Sequence, residues 1–190
     1  MRTSEQSRTT KETDISLSLS LDGGPVEIST GIGFFDHMLT AFAVHGGFGL
    51  RIKAAGDLYV DGHHTVEDTG IVLGKAFQEA LGDKSGIARF GSFYVPMDEA
   101  LAFAAADVSG RPFLVFSGEF SQAVCGGYDL CLTEEFFRAL AYNAGITLHL
   151  RLEYGGNGHH EAEALYKAAG HALRLAAAER EGILSTKGVL

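Results

Sequence analysis

The chain has 190 residues, 46% of them hydrophobic, and a formal net charge of −9 at pH 7. That length allows one ordinary domain or two small halves that share a core. The acidic balance, with no visible basic stripe, excludes nucleic acid as an expected partner, and no apolar run approaches the roughly 18 residues of a membrane span. Because the polar first residues lack the apolar region of a signal peptide, we expect a soluble, cytoplasmic protein.

The first half of the chain combines two kinds of hydrophobic pattern. Residues 14–21 place isoleucine and leucine at every second position, which is typical of a half-buried strand. Residues 26–29 could return beside that strand across the turn Asp22-Gly23-Gly24. Residues 63–81 instead repeat their apolar positions with the 3.6-residue period of a helix. The predicted elements of this half are strands at 14–21 and 26–29, a helix from Phe35 to about Gly46, a strand at 48–52 and a helix at 63–81.

The second half repeats this order of elements. Gly74 and Gly170 fall at the same place in the last helix of each half. We therefore predict an α+β fold of two duplicated half-domains, each a small, mostly antiparallel sheet with two helices, packed in layers. The halves are residues 1–84 and 85–190, which together form one domain. The predicted elements of the second half are strands at 87–95, 100–108, 113–116 and 146–150, and helices at 134–144 and 159–181.

A histidine pair followed by a glutamate opens the last helix of each half. His63 and Glu67 are four residues apart, as are His159 and Glu163, so each of these pairs shares one helix face. The second histidine of each pair is rotated by about 100° around the helix and must point elsewhere. Each motif thus supplies two ligands to one metal ion and one ligand to another. This predicts two metal sites, each with ligands from both copies.

The predicted ligands are all nitrogen or oxygen donors. Aligning the first helices of the two halves places His37 opposite Glu135, and these residues would add one ligand to each site. Mixed imidazole and carboxylate ligands suit Mn, Fe, Co or Zn, and the lack of cysteine ligands argues against structural zinc. We interpret Cys125 and Cys131 as ordinary core or surface residues. One histidine pair alone would be an unremarkable surface feature, but two copies in register predict metal binding.

Several segments carry a closer likeness to a known family. They are Gly31–Leu39 (GIGFFDHML), Asp61–Asp68 (DGHHTVED) and Gly158–Ala164 (GHHEAEA), with shorter likenesses at 109–112, 143–149 and 185–190. On these motifs the chain, from about Arg8 to Leu190, resembles the imidazoleglycerol-phosphate dehydratase family. The segments span nearly the whole sequence, so the resemblance applies to the complete duplicated unit.

The resemblance implies two Mn²⁺ ions per active site and a homo-24-mer with sites between subunits. It assigns one ion to His37, His64, His159 and Glu163, and the other to His63, Glu67, Glu135 and His160. Some of these ligands would come from a neighbouring chain. The family usually has histidine at the position of Glu135. A carboxylate is also a ligand for Mn²⁺, but it adds negative charge to that site.

The resemblance also implies a reaction: dehydration of D-erythro-imidazoleglycerol phosphate to imidazole acetol phosphate in histidine biosynthesis. Metal ions on the ring nitrogens would favour the ionised ring, whose electrons expel the adjacent hydroxyl. The implied catalytic residues are Glu12, Glu67 and His64, with Glu12 in proton transfer. The implied substrate-binding residues are Glu12, His37, His45, His63, His64, Arg89, Arg111, His159, Lys167, Ser185, Thr186 and Lys187. Of these, the arginines, the lysines and Ser185 would bind the phosphate.

Two other hypotheses for the function of the metal motifs remain open. A metal-binding scaffold without catalysis would explain the ligands, with Glu135 as the change that inactivated an ancestral enzyme. It would not need cations for a phosphate group. A metal-dependent hydrolase would use a metal-bound water as its nucleophile, but no further motif supports that chemistry. A metal-dependent assay separates the three.

Overall fold

The computed structural model of the protein describes residues 1–182, 184 and 185. The described chain contains ten strands and four helices. The strands are β1 (Thr3–Thr9), β2 (Thr13–Ser20), β3 (Val26–Ser29), β4 (Gly49–Gly56), β5 (Phe90–Met97), β6 (Ala100–Asp107), β7 (Phe113–Ser117), β8 (Val124–Cys125), β9 (Tyr128–Asp129) and β10 (Thr147–Tyr154). The helices are α1 (Gly33–Gly46), α2 (His63–Leu81), α3 (Leu132–Ala144) and α4 (Gly158–Ala176). No helix in the described part of the chain is both long and apolar enough to cross a membrane.

Two four-stranded sheets have the same topology. Their strand orders are β1-β2-β4-β3 in the first half and β5-β6-β10-β7 in the second. In each sheet the first two pairings are antiparallel and the last is parallel. Since both the order and the direction of the strands repeat, the predicted fold of two duplicated, mostly antiparallel half-domains is confirmed.

The helices fill the space between the inner faces of the two sheets. In β2, the alternating residues Ile15, Leu17 and Leu19 are buried, while the residues between them face outward. Helix α2 packs on the first sheet and α4 on the second, and the helices also pack on one another. This packing forms one continuous hydrophobic core with residues from both halves. The predicted layered packing is therefore confirmed.

The first sheet differs from the prediction in two details. Residues 3–9 form β1, an edge strand that we did not predict, because its side chains are mostly polar and give no apolar alternation. It is held by backbone pairing along the whole of β2. The predicted pairing of β3 with the first apolar strand is wrong, since β3 lies parallel to β4. Helix α1 provides the crossover connection that a parallel pair requires.

The chain beyond α4 explains two shifted boundaries in the second half. Helix α4 ends at Ala176 rather than at the predicted 181, and β5 begins at Phe90 rather than at 87. The backbone N–H of Arg89 donates to the carbonyl of Ala176, and Ile87 forms a bridge with Glu179. The two segments therefore pair with each other, which a single-segment pattern does not predict.

Two equivalent glycines allow the helices of one half to approach those of the other. A Cβ added to Gly74 in α2 would lie 2.6 Å from the carbonyl oxygen of Leu140 in α3. A Cβ added to Gly170 in α4 would lie 2.4 Å from the carbonyl oxygen of Phe42 in α1. Both distances are shorter than van der Waals contact. The repeated glycine of the sequence thus marks two symmetry-related helix contacts.

We expect Gly74→Ala and Gly170→Ala each to lower the free energy of unfolding by about 1–3 kcal/mol, because the added methyl group forces the backbones apart. Alanine's better helix propensity, worth about 1 kcal/mol, would otherwise stabilise both variants. Gly33→Ala is the matched control, since nothing lies within 4 Å of a Cβ at that position. Urea unfolding measures all three. Equal stability of Gly33→Ala and Gly170→Ala would contradict the close contact.

Candidate metal centre

Both histidine pairs lie in the first turn of a helix, where a preceding polar side chain fixes the start. Asn157 is the N-cap of α4, and its side-chain oxygen accepts the backbone N–H of His159 at 3.0 Å. Asp61 accepts the backbone N–H of His63 at 2.8 Å in the same way. The glycine-rich and aspartate-rich turns before the two motifs therefore hold the metal ligands at defined helix ends.

His37, His159 and Glu163 converge on one point. Nε2 of His159 lies 3.1 Å from Oε2 of Glu163, and Nε2 of His37 lies 3.3 Å from the same oxygen. The two imidazole side chains are half-exposed, whereas the Glu163 carboxylate is 10% exposed. Helix α1 supplies His37 and α4 the other two, so the contact of these helices builds the cluster. The structure thus brings together predicted ligands from both halves, and their binding of a metal ion stays a prediction.

A lysine on the same helix balances the charge of this cluster. Nζ of Lys167 lies 2.7 Å from Oε1 of Glu163, so Oε2 stays directed at the histidines. Burial of the Glu163 carboxyl acts to raise its pKa, but the hydrogen bond and charge of Lys167 and the nearby His37 outweigh burial and lower the pKa. The carboxylate is therefore ionised at neutral pH, as a metal ligand must be.

The donor atoms of the cluster fit a divalent transition metal. All three lie within 4.8 Å of one another and comprise two imidazole nitrogens and one carboxylate oxygen. Mn, Fe, Co and Zn are the ions that accept such a set, and three protein ligands leave positions for further groups. The sequence prediction that these three residues share a site agrees with this geometry.

The second predicted ligand set is not assembled in the same manner. His63 and Glu67 lie on one face of α2, with 3.8 Å between Nε2 and Oε2. The carboxylate of Glu135 instead accepts two hydrogen bonds from Arg138, at 2.7 and 2.8 Å. Glu135 is therefore paired with a cation on its own helix, and any metal ion that it binds must use the remaining lone pairs of this carboxylate.

The second histidine of each pair points away from its neighbour towards carboxylates. Nδ1 of His64 lies 3.0 Å from Asp57 and 3.8 Å from Glu12. Nδ1 of His160 lies 2.9 Å from Glu99. The hydrogen bond to Asp57 raises the pKa of His64, and the hydrogen bond to Glu99 raises that of His160. With the nearby Asp98, His160 and Glu99 form the other three-residue cluster found in residues 1–182 and 184–185.

The predicted phosphate-binding arginines surround one aspartate. Nε of Arg89 donates to Asp107 at 2.8 Å, and Nη2 of Arg111 donates to the same carboxylate at 2.9 Å. Arg89 also donates to the carbonyl of Leu184 at 2.7 Å, which brings the chain just before Ser185 to these arginines. The predicted residues Thr186 and Lys187 lie outside the described residues.

His45 lies in a different environment from the other predicted substrate-binding residues. Its Nδ1 is 3.3 Å from Nε2 of His171, and His171 stacks on Phe93 with 4.2 Å between ring centroids. Burial is the main cause that lowers the pKa of His45, and the charge of Lys167 adds to it. His45 is therefore a neutral ring beside Lys167, and its predicted contact with substrate stays a prediction.

Four carboxylates at these clusters are absent from the predicted site residues: Asp57, Asp98, Glu99 and Asp107. No motif marks Asp57 or Asp107, since each follows or ends a strand in an ordinary acidic position. Glu99 carried a signal that could have found it. It opens the second strand of the second half, as Glu12 does in the first.

The arginine cluster gives a pH-dependent contribution to stability. Burial of Asp107 acts to raise its pKa, but hydrogen bonds from Arg89, Arg111 and Ser109 outweigh burial and lower the pKa below its usual value of 3.8. Such a group stabilises the fold above its unfolded-state pKa, and the contribution is lost as the pH falls through the folded-state pKa. Asp107→Asn should therefore lower the free energy of unfolding by about 1–3 kcal/mol at pH 7.

The difference in the free energy of unfolding between Asp107→Asn and the wild type should be smaller when both are unfolded in urea near pH 3. A difference that stays constant from pH 7 to pH 3 would contradict the lowered pKa. Ser109→Ala, which removes a neutral donor 3.0 Å from the carboxylate, is the control with a smaller expected effect.

Comparison with known proteins gives the same family throughout. The family model for imidazoleglycerol-phosphate dehydratase matches residues 30–173. A protein of that name from Bacillus thuringiensis (strain Al Hakam) is 59% identical over 194 residues, with 100% of both chains covered, and one from Bacillus anthracis (strain A0248) is equally similar.

Two solved structures are also similar. The imidazoleglycerol-phosphate dehydratase of Staphylococcus aureus subsp. aureus N315 matches with a TM-score of 0.85 and 44% identity, covering 93% of this chain and 99% of the other. The Pyrococcus furiosus enzyme, solved in complex with (S)-C348, matches with a TM-score of 0.87 and 42% identity, covering 97% and 100%. The chain therefore belongs to the imidazoleglycerol-phosphate dehydratase family and is a hydro-lyase.

Proposed function

We propose that this protein dehydrates D-erythro-imidazoleglycerol phosphate to imidazole acetol phosphate in histidine biosynthesis, with two Mn²⁺ ions per active site. The observation that carries the proposal is the cluster of His37, His159 and Glu163, whose three donor atoms lie within 4.8 Å. The full-length relatives that are 59% identical bear the name of this activity. The cationic side chains of Arg89 and Arg111, grouped at Asp107, support a phosphorylated substrate.

The proposed active site draws residues from neighbouring copies of the chain. The cluster offers three ligands, and His64, predicted as the fourth, faces Asp57 and Glu12 within its own chain. A second copy is a natural source of that ligand. His160 would join His63, Glu67 and Glu135 in the other site in the same way.

The positions of the proposed phosphate-binding residues also support an active site that is shared between subunits. Arg89 precedes β5, and Lys167 contacts Met97 at the far end of that strand, 3.9 Å from its sulfur atom. An eight-residue strand is roughly 25 Å long at about 3.3 Å per residue. One small substrate is too short to contact both residues in a single chain. We therefore propose that Arg89 and Lys167 at one site belong to different subunits, as the predicted homo-24-mer allows.

The proposed dehydration requires proton transfers, and two glutamates are placed to carry them out. Bound metal ions would lower the pKa of the substrate's imidazole ring and so favour departure of the neighbouring hydroxyl. Glu12 would remove the carbon-bound proton. Its side chain is 55% exposed, while its backbone N–H donates to the Thr10 hydroxyl at 3.0 Å, so a fixed turn carries an accessible base. Glu67 would accept the N–H proton that the ring loses on ionisation and pass it to the departing hydroxyl, which leaves as water, and the resulting enol becomes the ketone.

The phosphate would be bound by charge and hydrogen bonds. Arg111 is well exposed, and its guanidinium is held by Asp107 with donors left over for a ligand. The sequence places Ser185, Thr186 and Lys187 next to Leu184, whose carbonyl contacts Arg89. These residues together would provide the donors that a phosphate dianion requires.

A metal-dependent assay tests the proposed function. Chelator-stripped protein is mixed with imidazoleglycerol phosphate with and without Mn²⁺, and formation of the ketone is followed by absorbance. Product that depends on Mn²⁺ is the expected result. Tight Mn²⁺ binding without any product would instead favour the scaffold reading, with Glu135 held by Arg138 as its cause. Glu135→His would then be the variant to test for recovery of activity.

A further inference from the structure

The turns that carry Glu12 and Glu99 are equivalent in the two half-domains. Leu50 in β4 pairs with Leu19 in β2, and the matching Leu148 in β10 pairs with Ala106 in β6. Counting back from Leu19 and from Ala106 by the same seven residues reaches Glu12 and Glu99. Each glutamate therefore ends the hairpin turn before the second strand of its sheet.

The two equivalent glutamates lie at different distances from the neighbouring histidine. Oε2 of Glu99 lies 2.9 Å from Nδ1 of His160, which is hydrogen-bond distance. Oε2 of Glu12 lies 3.8 Å from Nδ1 of His64, which is beyond that distance.

Asp57 takes the place of the turn glutamate in the first half. Its two carboxylate oxygens lie 3.0 and 3.2 Å from Nδ1 of His64. Its backbone N–H donates to the carbonyl of Glu12 at 3.0 Å, so the end of β4 is tied to the turn. The Asp57 side chain is largely buried, and its oxygens are held at the ring. The hydrogen-bonding capacity of Nδ1 is thus used, and Glu12 makes only the longer ion-pair contact of 3.8 Å with the ring.

The second half has no side chain at the position of Asp57. A bulge between Leu152 and Tyr154 adds one residue to β10, so the position that matches Asp57 at the end of β4 is Gly156. A Cβ on Gly156 would lie 3.6 Å from Cγ of Glu99, so the Glu99 side chain lies beside the position that Asp57 has in the first half. The strand end therefore offers His160 no acceptor side chain, and the turn provides its carboxylate contacts: Glu99 at 2.9 Å from Nδ1 and Asp98 at 3.8 Å from Nε2.

We infer that Asp57 and Glu99 are positioning residues, one for each half, which fix the rings of His64 and His160 so that Nε2 of each points outward as a metal ligand. A carboxylate that accepts Nδ1–H sets the tautomer in which Nε2 carries the lone pair. The duplicated turn has thereby diverged: Glu99 is hydrogen-bonded to a histidine, and Glu12, at 3.8 Å from its histidine, is available to act on substrate. This inference rests on the proposed function, because it assigns Nε2 of both histidines to metal ions.

Mn²⁺ binding measured on the full-length protein tests this inference. Free Mn²⁺ is counted by electron paramagnetic resonance during titration of the apo-protein. Removing an orienting partner of a ligating histidine typically weakens metal binding about 10–100-fold. We expect Asp57→Ala and Glu99→Ala each to weaken one class of Mn²⁺ site to this extent, and the double variant to weaken both classes.

Three further variants make the result specific. Asp57→Asn and Glu99→Gln keep an acceptor oxygen and should recover part of the lost affinity, which a loss of folding would not allow. Glu12→Gln should bind Mn²⁺ within about twofold of the wild type, because its carboxylate does not hold the ring. Wild-type protein that binds no Mn²⁺ would overturn the proposed function together with this inference. Wild-type binding that is unchanged in Asp57→Ala and Glu99→Ala would overturn this inference alone.

Discussion

Glu163→Gln should reduce kcat/KM at least about 1000-fold and remove one class of Mn²⁺ site. A loss of that size corresponds to about 4 kcal/mol of transition-state stabilisation. The Glu163 carboxylate is the point on which His37 and His159 converge, and it also pairs with Lys167. An uncharged amide is a much weaker ligand and leaves the lysine without its counter-charge. Titration with Mn²⁺ and steady-state kinetics on the same preparation measure both effects.

A second buried glutamate of α4 provides the control. Glu161 is buried like Glu163, but its carboxylate accepts the Ser121 backbone N–H at 2.9 Å and takes no part in the metal cluster. Glu161→Gln should keep both classes of Mn²⁺ site, although it too loses a buried charge. If Glu163→Gln binds two Mn²⁺ ions as tightly as Glu161→Gln does, the cluster is not a metal site.

Glu12→Gln should lower kcat by about 100- to 10,000-fold, the range typical of a lost general base, with little change in KM or in Mn²⁺ binding. The amide keeps the size of the side chain and its place on the turn from Thr10 to Thr13. What it loses is the ability to accept a proton from carbon. Because His64 is held by Asp57, no ligand should be disturbed by the change.

Glu27→Gln is the matched surface control for Glu12→Gln. Glu27 pairs with Arg51 on the outer face of the first sheet, and the pair is well exposed. Exposed pairs of this kind contribute at most about 1 kcal/mol, so turnover should be unchanged in this variant. Full turnover by Glu12→Gln as well would remove Glu12 from the mechanism.

Much of the fold could be predicted from the sequence where one segment carries its own signal. The apolar period of 63–81 gave the bounds of α2, and the alternation in 14–21 gave most of β2. The convergence of His159 and Glu163 follows from helix geometry alone, since they are four residues apart. The family resemblance assigned His37 to this site, and the structure places its ring beside both.

The rest depends on pairings between distant segments. Strand β1 is polar and exists because β2 provides backbone partners along its length. The parallel partner of β3 depends on how α1 crosses the sheet. Asp57 has no local pattern, and Glu99 is marked only by its equivalence to Glu12; the folded chain brings both to the histidine rings. Glu135 and Arg138 are three residues apart on a helix, a spacing that allows an ion pair. The sequence does not show whether the Glu135 carboxylate binds Arg138 or a metal ion.

The crossed packing of the helices has a consequence for how the protein folds. Helix α2 of the first half packs on α3 of the second, and α4 of the second packs on α1 of the first. Each half therefore completes the other's interior, at Gly74 against Leu140 and at Gly170 against Phe42. A chain cut between the halves would give two fragments with exposed apolar helix faces, and neither would have a native state of its own. The two halves should melt together in one transition, and the late, long-range docking of one on the other should limit the folding rate.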